Sequence, residues 1–142
     1  MSISRLAFAL VPGGSGSKTM FKIQIDDREY LTGCFLADDL VNIVKRVPEV
    51  TEEGRRFELF FSNSDPFSVS VSARGNDLYL RISDSFDGGV LEDRVAFTAL
   101  KFALLDLMEA VLRLPMLDPF LREELASGLV DVRQWRDPVT GI

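Results

Sequence analysis

Between Phe57 and Ser83 the apolar residues fall at every second position in three successive runs. That spacing puts them on one face of an extended strand and scatters them around a helix. Phe57, Leu59 and Phe61 form the first run. Phe67, Val69, Val71 and Ala73 alternate with Ser68, Ser70 and Ser72 in the second, and Leu78, Leu80 and Ile82 alternate with Tyr79, Arg81 and Ser83 in the third. Asn63-Ser64-Asp65-Pro66 and Arg74-Gly75-Asn76-Asp77 supply turn chemistry between them. The pattern predicts an antiparallel meander over 57–83, one face buried and one face wet.

The flanking segments extend the same reading. Phe21, Ile23 and Ile25 alternate with Lys22, Gln24 and Asp26. Asp26-Asp27-Arg28 then reads as a tight turn into a strand over Glu29 to Cys34. Leu6, Phe8 and Leu10 suit a further, buried strand. A short helix is expected at about 38–47, with Leu40, Val44 and Val47 on one face and Pro48 as its stop.

After Gly88-Gly89 the period changes. From Val95 to Leu114 the only polar positions are Thr98, Lys101, Asp106, Glu109 and Arg113, which fall in one narrow stripe at 100° per residue. A long apolar helix is expected at about 94–114, opened by Glu92 and Asp93 and stopped by Pro115. So narrow a stripe requires cover on more than one side, from the chain itself or from a second copy in a homodimer. Asp118-Pro119 reads as an N-cap followed by proline at the first helical position. It opens a last helix over about 119–128, with Gly128 as its stop.

The expected fold class is therefore α+β. An antiparallel β-sheet of about five strands packs on the C-terminal helix, with short helices at about 38–47 and 119–128. No repeat or domain boundary interrupts residues 1–142, so the expectation is a single domain. Met20 follows the Gly/Ser stretch and offers a second start. On that reading residues 1–19 are an N-terminal extension.

Composition narrows the function. A hydrophobic fraction of 46% rules against intrinsic disorder, while 27% charged residues and the lack of a spanning apolar run rule against a membrane helix. The net charge of −6 argues against nucleic acid and favours a basic protein partner. The apolar run from Leu6 to Val11 is too short for a secretory signal, so a cytoplasmic protein is expected. The sequence has no histidine. This removes His-based acid/base catalysis, Ser-His and Cys-His nucleophile pairs and the commonest zinc ligand.

Several short motifs invite a chemical reading, and each has a plainer one. Pro12 to Thr19 resembles a phosphate loop, but Pro12 and Ser17 stand where glycine is required, and a strand pattern follows where a helix should begin. Asp84, Asp87, Glu92 and Asp93 offer carboxylate oxygens without calcium-loop spacing, and read as an acidic patch more readily than as a metal site. Asp26/Asp27 and Asp38/Asp39 are adjacent pairs, which do not converge as a two-carboxylate catalytic set must. Cys34, the single cysteine, lies between Gly33 and Phe35 with no basic neighbour and reads as structural.

What remains is a surface. Ser68, Ser70 and Ser72, beside Tyr79 and Arg81 and near Asp84 and Asp87, make a candidate partner-binding face, since Tyr and Arg are typical interface anchors. The expected function is a non-catalytic protein-interaction module: an acidic inhibitor, immunity-type protein or chaperone-like adaptor. The alternatives are a small-ligand or nucleotide-binding protein and, third, a small enzyme without histidine chemistry. No cofactor, metal site or catalytic residue is expected.

Overall fold

The computed structural model describes residues 2–11, 19–34, 56–60, 67–74, 77–84, 88–114 and 117–134. The expected helix at 38–47, the Gly/Ser loop at 12–18 and the residues after 134 lie outside this set, as do Asp38, Asp39 and Asp87. The strands are β1 (Leu6–Leu10), β2 (Thr19–Ile25), β3 (Arg28–Cys34), β4 (Arg56–Phe60), β5 (Phe67–Arg74), β6 (Asp77–Asp84) and β7 (Val90–Val95). Two helices follow, α1 (Phe97–Leu112) and α2 (Pro119–Arg133).

The strands form two antiparallel sheets, β1-β2-β3 and β4-β5-β6-β7, in place of the expected single sheet of about five strands. The class is α+β with antiparallel sheets. In the four-stranded sheet the register sets Val69 against Ile82 and Val71 against Leu80, so the apolar positions of neighbouring strands share one face. In the three-stranded sheet Phe8 faces Ile23 and Leu6 faces Ile25. Phe8, Ile23 and Ile25 join Val69, Val71, Leu78, Leu80 and Ile82 in one buried cluster with the helices.

The additional strand is β7, and it changes what opens the helix. Glu92 and Asp93 belong to β7 rather than to a first helical turn, and α1 has no acidic residue in that turn. The register explains why alternation is hard to see here. Leu80 lies opposite Asp93, which puts a carboxylate between Leu91 and Val95 on the sheet's apolar side. An inward charge on an outer strand disfavours edge-to-edge pairing with another sheet.

The outer side of β7 meets the chain's own beginning. Ser2 bridges Arg94 in parallel, and the Ile3 amide donates to the Arg94 carbonyl at 2.8 Å. Ile3 is buried, and the chain then enters β1, so the first residues tie the two sheets together. Asp26 secures that link from the β2–β3 turn. Its Oδ1 accepts hydrogen bonds from the Ser4 and Arg5 amides at 3.0 and 2.9 Å, and its own amide donates to the Arg5 carbonyl at 3.0 Å. Asp26 does this with φ +54, a left-handed conformation that Asp tolerates better than most residues.

α1 ends at Leu112 and is shorter than the expected 94–114 interval. It packs against β1 and against α2, and buries Leu100, Ala103, Leu104, Leu105, Leu107, Met108 and Val111. Within the chain, β1 and α2 thus cover one broad side of the helix, while Phe102 stays exposed on the other.

α2 begins as its sequence implies, with the Asp118 carboxylate accepting from the Phe120 and Leu121 amides and Pro119 in the first turn. It continues to Arg133, past Gly128, which lies on its buried face with Leu125, Leu129 and Val132. Gly128 therefore does not stop the helix.

The two helices cap each other. The Arg122 guanidinium of α2 donates to the Leu112 and Leu114 carbonyls at the end of α1. Lys101 of α1 donates to the Arg133 carbonyl at the end of α2 at 2.8 Å, and Arg133 pairs with Glu109 at 3.0 Å. Each helix supplies a cation where the other has free carbonyls and the negative end of its dipole.

Two stability predictions follow from this packing. Leu107→Ala should cost about 2–5 kcal/mol in urea unfolding, whereas Phe102→Ala, on the solvent side of the same helix, should cost less than about 0.5 kcal/mol. Asp26→Ala removes an acceptor of two amides and leaves a β-carbon in a left-handed turn, so a loss of about 1–3 kcal/mol is expected. Asp26→Asn, which keeps an acceptor oxygen and tolerates that conformation, should lose less than half as much, as checked by thermal unfolding.

Candidate partner-binding face

The outer face of the four-stranded sheet can be built from register alone. One row across the strands reads Arg56, Ser72, Tyr79, Arg94, and the next reads Glu58, Ser70, Arg81, Glu92. Ser68 and Ser83 pair in the row beyond, and Arg74 pairs with Asp77 at the opposite end. Short hydroxyl residues from β5 and β6 therefore lie among long charged ones from β5, β6 and β7.

The serines are not the flat exposed surface that alternation implies. Ser68 is exposed, but Ser70 and Ser72 are only 4% and 6% exposed. Their side chains are short and their strand neighbours are long, so they form the floor between taller residues. Tyr79 and Arg81 are half-buried and form part of the walls. Asp84 ends β6 opposite Phe67, and Asp87 lies outside the described residues.

Tyr79 has a different cationic partner from the one suggested by the 79/81 spacing. The Arg74 guanidinium carbon sits 4.7 Å from the centre of the Tyr79 ring, a cation–π contact. Beyond the ring, Arg74 reaches Glu92 at 2.6 Å, spanning from β5 across β6 to β7. Arg94 approaches Asp77 at 3.9 Å. Sequence spacing overlooks Arg74 and Glu92 as members of this face. The Arg74-Gly75-Asn76-Asp77 sequence is the signal that could find Arg74, since the β5–β6 register sets Arg74 opposite Asp77 and so diagonal to Tyr79.

Arg81 is treated differently by its neighbours. Glu92 lies directly opposite it in the β6–β7 register, but the Glu92 carboxylate is engaged by Arg74. Among the described residues Arg81 has no ion-pair partner. By register the face holds four arginines, Arg56, Arg74, Arg81 and Arg94, against three carboxylates, of Glu58, Asp77 and Glu92. Within a chain of net charge −6 this is a locally basic surface.

The other motifs do not assemble into chemistry among the described residues. Glu92 and Asp93 are adjacent in a strand, so their side chains leave on opposite faces. No group of three or more Asp, Glu, Cys or His converges as a metal site among the described residues. Thr19 begins β2, so a strand follows the Gly/Ser loop where a phosphate cradle would need a helix N-terminus. Cys34 ends β3 opposite Thr19. No helix among the described residues is long and apolar enough to cross a membrane.

No family model, curated protein or solved structure matches the chain.

Because Arg74 and Glu92 are partly exposed, their contact should be worth little by itself. A double-mutant cycle on Arg74→Ala and Glu92→Ala, read by urea unfolding, should give a coupling below about 1 kcal/mol. A much larger value would mean that the pair supports the fold rather than the surface.

Proposed function

We propose that this chain is a non-catalytic protein-interaction module whose contact surface is the outer face of the four-stranded sheet. The observation that carries the reading is the arrangement on that face: a serine floor walled by Tyr79, Arg81, Arg74 and Glu92. Tyr and Arg supply most of the energy at many interfaces, because each combines contact area with directional polar atoms. Of the serines, Ser68 is exposed to a partner, whereas Ser70 and Ser72 are covered. The histidine-free composition and the divergent carboxylates favour binding over catalysis. An inhibitor or adaptor fits this profile.

The charge of the whole chain and the charge of this face favour different partners. At long range a net charge of −6 attracts basic proteins. At contact distance the face carries an excess of arginine, and contact chemistry determines which segment seats there. The partner segment is therefore expected to be acidic where it meets the sheet.

A photo-reactive amino acid at position 68, which is exposed beside the floor, should cross-link the partner in cells. Ser68→Arg should prevent complex formation in a pull-down by projecting a long cation over the floor. Ala7→Arg, on the exposed side of β1, should leave it intact. Equal loss from both substitutions, or from neither, would contradict the assignment of this face.

A further inference from the structure

We propose that Arg81 is the anchor of this face and takes a carboxylate from an acidic segment of the protein partner. This rests on reading the outer face as the contact surface and goes further by naming the chemistry that seats on it. The central observation is an imbalance. Arg74 and Arg94 each have a carboxylate, on Glu92 and Asp77, while the acid that register sets against Arg81 is held by Arg74. A half-buried guanidinium has lost part of its hydration, and an incoming carboxylate restores those hydrogen bonds with opposite charge.

The surroundings favour the same ligand. Arg81 lies between Ser70 and Glu92 across the strands, and between Tyr79 and Ser83 along its own strand. On the β5 side the nearest side chain, Ser70, is covered, so an approaching carboxylate meets the half-buried Arg81 guanidinium rather than the serine hydroxyl. Guanidinium and carboxylate match as a two-pronged pair, which gives orientation as well as attraction. Arg81 has no ion-pair partner among the described residues, and its single positive charge balances one carboxylate. A phosphomonoester carries about −1.5 to −2 and would place its excess charge beside Glu92.

Fluorescence anisotropy with a labelled oligoglutamate peptide tests this on the full chain, with amide chemical shifts to locate the site. Saturable binding is expected, with the largest shifts at Ser70, Arg81 and Glu92 and weaker binding as salt is raised. Arg81→Gln should weaken it by about fivefold or more, and Arg81→Lys by less, since lysine keeps the charge and loses the fork. Glu92→Gln should tighten it by about twofold or more, because it removes the neighbouring negative charge and releases Arg74. That gain cannot come from a damaged fold. Arg113→Ala, exposed at the end of α1, should change nothing.

If Arg81→Gln binds as the unsubstituted chain does while the shifts still map to the face, the role of Arg81 is overturned and the contact surface stands. If the peptide does not bind while Ser68→Arg still blocks the cellular partner, the acidic class is overturned and the face again stands. Tighter binding of inorganic phosphate than of oligoglutamate would overturn the choice of a carboxylate.

Discussion

The burial of α1 is the constraint on which the rest of the structure depends. Its apolar surface extends round too much of its circumference for one neighbour to cover. β1 covers part of it and α2 another part, and the two sheets contribute to the same buried cluster. Removing apolar area from water favours this assembly at about 25 cal/mol per Å², without specifying its geometry. Geometry comes from polar contacts at the periphery. Arg122 and Lys101 each cap the opposite helix, and Asp26 with the Ile3 amide fixes the path by which β1 reaches the core. These polar groups use the helix ends and the turn, where backbone groups lack regular partners, and so the same contacts satisfy the backbone and set the register of packing.

The face turned away from that cluster is organised by reach rather than by burial. Long side chains of β5, β6 and β7 extend over a floor of short ones, and Arg74 spans three strands by lying across Tyr79. With Glu92 held by Arg74, Arg81 has no ion-pair partner among the described residues. A small change in which arginine holds Glu92 would thus alter the electrostatics of the whole face with little effect on the core. This separation between an apolar side that holds the fold and a polar side free to vary is what a scaffold for binding needs.

Much of the architecture could be read directly because it depends on local period. Val69, Val71, Leu80 and Ile82 alternate and are buried, and Asp118-Pro119 opens α2 as capping chemistry implies. The less legible parts depend on partners distant in sequence. β7 is obscured by Asp93, whose inward position interrupts the alternation, and nothing local separates Val90–Val95 from the helix that follows. Gly128 resembles a helix stop, yet tertiary packing carries α2 through it. Asp26 reads as a turn residue, which it is. Its hold on Ser4 and Arg5 crosses about twenty residues and has no local signature. On the candidate face, the alternation identifies Ser68, Ser70, Ser72, Tyr79 and Arg81 as neighbours. Only the full register reveals the sinking of Ser70 and Ser72 and the role of Arg74.

The central claim is that the chain's own elements bury the Leu104 to Met108 side of α1, and amide hydrogen exchange tests it most directly. The amides around Leu104 to Met108 should be among the slowest to exchange, with protection unchanged on dilution over about two orders of magnitude. Protection of α1 that falls with dilution would show that a second copy completes its burial, and would contradict the claim.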